Sequence, residues 1–238
     1  MHKLPFDILF ENDELVAVNK PSGMLTLPDR HDGELLSLRG ILQAKYGHIF
    51  VIHRLDKDTS GIIVFAKDEA SHKYMSQLFE GRSIEKIYLG LVQGTPVPNS
   101  GSVMEPISEH PAKNGSMVIH HKGKVSHTDY EVVEQLGKFS LVSFNIHTGR
   151  THQIRVHSKF LGHPIVCDPI YGDGKPVLLS SFKKKFKLSK NEEEEKPILA
   201  RLALHAHRIS FVDIHGKHLA IEAPLPKDMR VLITQLKK

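Results

Sequence analysis

Two short apolar runs, residues 49–52 and 62–66, restrict the folds open to this chain more than any other feature. Both are rich in β-branched residues and too short for helices, so they read as strands. The segment between them, His53-Arg54-Leu55-Asp56-Lys57-Asp58-Thr59-Ser60-Gly61, is polar, and its Thr59-Ser60-Gly61 end suits a closing loop. It sets a carboxylate, Asp56, at a strand end with Arg54 two residues before it. A carboxylate held beside basic groups is what covalent catalysis on an anionic polymer needs. The bland alternative is a turn aspartate that bonds its own backbone.

Around this pair the pattern mixes strands and helices without regular β-α-β alternation. Residues 6–20 read as two short strands joined by a turn at 11–14, and Lys20-Pro21-Ser22-Gly23 breaks the run. Residues 34–46 place Leu35, Leu38, Ile41 and Leu42 on one helical face. Residues 68–80 do the same with Ala70, Tyr74, Met75, Leu78 and Phe79, and Asp68 is positioned as the cap. Residues 87–92 are strand-like, 94–101 turn-rich, and 116–146 alternate as three strands with Gly123 and Gly137 near the turns. A helix over 151–161 is expected to stop at Gly162. Strand patterns return at 203–212 and 218–222, Ala223-Pro224-Leu225-Pro226 interrupts them, and a C-terminal helix follows. The sum predicts an α+β fold, a bent and mainly antiparallel central sheet with flanking helices and loops, in a single domain over 1–238. A charged insertion at 173–200, basic at Lys183-Lys184-Lys185-Phe186-Lys187 and acidic at 192–195, reads as an exposed hairpin or excursion.

Composition narrows the function classes. No apolar stretch approaches the roughly 18 residues of a membrane span, and the N-terminus lacks the apolar core of a signal peptide. One cysteine, Cys167, excludes an intramolecular disulfide and suits a reducing cytoplasm. A net charge of +5 permits a polyanionic partner without demanding one. The 17 histidines raise the question of a metal. His147, His152 and His157 are spaced by five residues, which turns about 140° on a helix and alternates faces on a strand, so neither geometry gathers three ligands. No metal is expected.

Larger motifs carry a resemblance. The HRLDxxTSG wording around Asp56, the Lys86-Ile87-Tyr88-Leu89-Gly90 strand, the block Gly149-Arg150-Thr151-His152-Gln153-Ile154-Arg155-Val156-His157 with Gly162-His163-Pro164-Ile165, and Leu204-His205-Ala206 stand in this order. Together they resemble the RluA-type pseudouridine synthases from about residue 8 to residue 226. The resemblance implies that family's catalytic fold and the isomerisation of uridine to pseudouridine in structured rRNA or tRNA, without a cofactor. It assigns Asp56 as nucleophile and Tyr88 as the ring that stacks on the target base and assists proton removal at C5. It makes Arg155 the charge partner of the catalytic aspartate, and a carboxylate beside such a cation stays ionised at neutral pH. Arg54 becomes the planar filler of the space left by an extruded base. His53, Arg150, Thr151, His152 and Gln153 complete the RNA-binding set, although His53 suits a loop-shaping role, and Thr151 and Gln153 suit helix capping, equally well. The pattern begins almost at Met1, so the expectation is a catalytic domain without the N-terminal S4 RNA-binding domain that many relatives carry. Cys167 stands where glycine is usual. The chain is expected to be cytoplasmic and monomeric. Its rivals are an RNA-binding protein that uses the same basic cleft without catalysis, and a metal-dependent hydrolase, which the histidine spacing disfavours.

Overall fold

The computed structural model describes residues 4–29, 36–183, 186–188 and 194–238. Leu35, Lys184, Lys185, Glu192 and Glu193, which figured in the sequence reading, lie outside the described residues. The chain opens with β1 (Asp7–Glu11), β2 (Leu15–Lys20), α1 (Leu38–Tyr46), β3 (Phe50–Val51), β4 (Ser60–Ala66) and α2 (Glu69–Glu80). Next come β5 (Glu85–Gln93), β6 (Ser100–Val103), β7 (Ile107–Glu109), β8 (Met117–Ile119), β9 (Thr128–Leu136) and β10 (Phe139–Ile146). It closes with α3 (Gln153–Phe160), β11 (Leu204–Val212), β12 (His218–Glu222) and α4 (Lys227–Leu236). This is the mixed, mainly antiparallel α+β composition that the sequence predicts.

Two compact units divide these elements. The first comprises Met1–Tyr88, Asn145–Thr151 and His205–Pro224. Its strands lie in the order β1-β2-β4-β11, with β3 also on β4 and β12 on β11. Asn12 Oδ1 accepts from the Glu14 and Leu15 amides and makes the turn between β1 and β2. β2 and β4 pair antiparallel from Leu15–Ala66 to Lys20–Gly61, whereas β11 meets β4 in parallel at His205–Ser60 and Ala206–Gly61. All seven residues of β4 are buried, which explains its unbroken apolar run. Gly61 has φ 115, and a Cβ there would fall 2.2 Å from the Ala206 carbonyl oxygen, so the parallel pairing requires glycine. Ser37 and Asp68 cap α1 and α2, their side chains accepting from the Gly40 and Ser71 amides. Leu38, Leu42 and Met75 drive into one core with Val16, Val18, Ile63 and Phe65. Each such side chain contributes about 1.5–3 kcal/mol on burial.

The second unit comprises Leu89–Phe144, His152–Leu204 and Leu225–Lys238. Its strands follow the order β5-β10-β9-β6, and β7 and β8 form a separate antiparallel pair. Gly137, at φ 67, turns the chain between β9 and β10. α3 is shorter than the expected 151–161, because His152, at φ 55, sits in the left-handed region and stops the helix from starting earlier. Gly162, at φ 84, ends it as expected. Cys167 has φ 60, a left-handed conformation that favours glycine, since a Cβ there costs about 1 kcal/mol. The charged insertion is pinned at its base, where Val177 and Leu199 are buried and bridged. Among the described residues no helix is long and apolar enough to cross a membrane.

Candidate active site

The loop that carries Asp56 is fastened by the last residue of β2 and by the segment that follows it. Lys20 is fully buried, and its ammonium donates to the carbonyls of Pro21, Met24 and Lys57. Ser22 donates to the Asp58 carbonyl at 2.7 Å. Thr26 Oγ1 donates to the Leu55 carbonyl and accepts from the Leu55 amide. The backbone of residues 55–58 is therefore held from one side, and Asp56 lies half-buried within it. Lys20, Ser22 and Thr26 were invisible as site residues in the sequence, where Lys20-Pro21-Ser22-Gly23 reads only as a strand breaker. The one local signal was a lysine that ends an apolar strand.

His53 supports the loop from the other side. Its Nε2 accepts from the Val64 amide at 3.0 Å, and its ring stacks on Phe79 at 4.7 Å between centroids. A nitrogen that accepts from an N–H is unprotonated, so the ring is neutral. Burial, with the Lys86 charge added, pushes its pKa down to about 3. The unfolded ring takes a proton near 6.5 while the folded one resists until about 3. Stability must then fall as pH drops through that window, by up to about 1.4 kcal/mol per pH unit. His53→Gln, whose amide oxygen can still accept from Val64, is expected to lack this slope. Denaturant titrations across the window check it, and equal slopes for both proteins would refute the role of the ring.

A cavity of about 390 Å³ opens against this loop, within the first unit. His53, Arg54, Lys86, Tyr88 and Arg150 border it, together with backbone and side chains of residues 146–149. Arg54 is exposed. Tyr88 is half-buried, and its phenol pKa is raised, first by burial and then by the negative charge of Asp56. The fold thus brings Asp56 into electrostatic reach of Tyr88, and it is Tyr88, with the basic residues Arg54, Lys86 and Arg150, that borders the cavity. A phenol held protonated is a poor base.

Several of the remaining expected residues make contacts inside the second unit. Thr151 is exposed beside Arg150. In the second unit, His152 Nδ1 pairs with the Tyr171 hydroxyl at 2.8 Å. Gln153 is buried, and its side-chain amide donates to the His127 carbonyl and Thr128 Oγ1. Arg155 is 3% exposed and makes a two-point ion pair with the fully buried Asp168, at 2.7 and 2.8 Å. His147 borders the cavity, and both ring nitrogens of His157 bond inside the second unit, to Thr128 Oγ1 and the Glu105 carbonyl.

Comparison with known proteins follows the same lines. Residues 14–159 match the family described as RNA pseudouridylate synthase. The chain is 32% identical over 240 residues to the ribosomal large subunit pseudouridine synthase D of Nitrosomonas europaea, covering 98% of this chain and 66% of that protein. It is 35% identical over 253 residues to an uncharacterized RNA pseudouridine synthase of Chlorobaculum parvum, covering 98% of this chain and 75% of the relative. Among solved structures, human RNA pseudouridylate synthase domain containing 4 superposes with a TM-score of 0.75 at 28% identity, over 97% of this chain and 92% of that one.

Proposed function

This chain belongs to the RNA pseudouridylate synthase family, and from that premise we propose that it isomerises particular uridines of a structured rRNA or tRNA through the Asp56 carboxylate. The observation that carries the reading is the Asp56 charge acting on the Tyr88 phenol at a cavity edged by Arg54 and Arg150. The reaction breaks the N1–C1′ bond, turns the base and joins C5 to C1′, while a proton leaves C5 and N1 gains one. A carboxylate serves this by adding to C1′ or by starting a glycal route through the sugar, and neither requires a cofactor. Tyr88 supplies a face on which the uracil stacks. Arg54, exposed at the rim, fills the stack that the uridine leaves, since a guanidinium plane packs well on bases. Arg150 meets the backbone beside it, and family resemblance adds Arg155 as a charged group that the reaction depends on. His53 and Gln153 act by holding the loop and α3 in place.

The direct test incubates candidate rRNA and tRNA with the protein and maps pseudouridine by carbodiimide labelling. RNA from cells lacking the chain identifies the target uridine by the label that disappears. No label above background on any RNA would overturn the proposal. Arg54→Ala is expected to lower kcat/KM on a folded stem-loop about tenfold or more relative to an unstructured oligonucleotide, because unstacking is cheapest for an unpaired base. Equal losses on both substrates would contradict the stack-filling role.

A further inference from the structure

Among the described residues, Lys86 is a buried cation that no acid pairs. It is 9% exposed and stands two residues before Tyr88 on β5, hence on the same strand face, and both residues border the cavity. Among the described residues no carboxylate comes within 4.0 Å of its ammonium or of the Arg82 guanidinium. Its close neighbour is the Phe79 ring, 5.3 Å from centroid to Nζ. The other charges nearby do not help: Arg82 is a second cation, His53 is neutral, Glu80 is exposed, and Glu85 accepts from Ser210. Burial lowers the Lys86 pKa, and Arg82 lowers it further. Arg82 itself is held at φ 57 in the turn after α2, a strained conformation for a residue with a Cβ. An ammonium left this way in a folded chain is unfavourable, and such groups gather where a ligand completes them.

We infer that Lys86 and Arg82 form an anion subsite in the cavity wall that takes a backbone phosphate of the uridine stacked on Tyr88. A phosphodiester carries full charge on oxygens able to bridge two cations, whereas a uracil carbonyl, being neutral, leaves the repulsion between Lys86 and Arg82 in place. The cavity has the size class of small-molecule sites, enough for a base on Tyr88 with a phosphate beside it. The inference rests on reading the cavity as the uridine site.

The test uses uridine, uridine 5′-monophosphate and uridine 3′-monophosphate as probes of the intact protein. Affinity is measured by calorimetry, and the Lys86 side-chain signal is followed by NMR. At least one monophosphate is expected to bind roughly tenfold or more tightly than uridine, the scale of a charge-assisted contact, and to shift the Lys86 signal. Lys86→Gln should reduce that preference to about twofold or less while leaving uridine affinity nearly unchanged. Lys86→Met should melt at a higher temperature than the wild type, because it removes an uncompensated buried charge. The subsite is overturned if Lys86 responds to none of the probes up to tens of millimolar or if Lys86→Gln keeps the monophosphate preference. It is equally overturned if uridine and its phosphates weaken alike, or if Lys86→Met melts lower. None of these readouts needs turnover. Phosphate preference in a protein that never labels RNA would sink the catalytic reading alone, and labelling without the preference would sink the subsite alone.

Discussion

Asp56→Asn is expected to reduce pseudouridine formation by about 10⁴-fold or more, with RNA affinity kept within a few fold. The amide has the volume of the carboxylate but is a far weaker nucleophile and base. The loop should survive the change, because Lys20, Ser22 and Thr26 fasten the backbone of Leu55, Lys57 and Asp58. A second consequence does not depend on turnover. With the Asp56 charge gone, one of the two causes that raise the Tyr88 phenol pKa disappears while burial remains. Ultraviolet titration should then find Tyr88 ionising at lower pH than in the wild type, though still above a free tyrosine. Single-turnover assays at saturating enzyme measure the chemical step. Near-normal rates for the variant would remove Asp56 from the mechanism, whatever the phenol does.

Much of this arrangement was readable from the chain because its signals are local. The apolar run of β4, the Asp68 cap of α2 and the glycine that ends α3 each rest on a few neighbouring residues, and each stands where the pattern put it. β6 and β7 went unread, being only four and three residues long and carrying no alternation to detect. The role of Lys20 was hidden for another reason. Its acceptors are backbone carbonyls, one of them 37 residues away, and a carbonyl has no sequence signature. Lys86 was quoted only as part of the strand that bears Tyr88, since isolation from acids is a property of the fold alone. Asp168 shows the same limit: no local pattern singles it out, yet Arg155 grips it.

That grip makes Arg155→Met strongly destabilising, with an expected loss of about 3–5 kcal/mol, the usual result of stripping one partner from a buried ion pair. Arg155 and Asp168 are 3% and 0% exposed. Burial alone would raise the Asp168 pKa, but the Arg155 hydrogen bond and charge, with the amides of Ile170 and Tyr171, outweigh it and hold the carboxyl below its usual 3.8. The sign of the pH dependence follows. In the wild type this pair stabilises fully above about pH 4 and fades as pH falls through the lowered folded value. In Arg155→Met, burial is opposed only by the two amides, so the folded pKa rises and the deficit is largest at neutral pH and shrinks in acid. Adding Asp168→Asn removes the orphaned charge and keeps an acceptor for the amides of Ile170 and Tyr171. The double variant should therefore regain much of the lost stability, which thermal melts at neutral pH will show. Activity then separates two roles for Arg155. If the reaction depends on its charge, the refolded double variant stays slow and the acid limb of its pH–rate profile moves upward. Recovery of both melting temperature and rate would reduce Arg155 to a pillar of the second unit and leave Asp56 to be ionised by other neighbours.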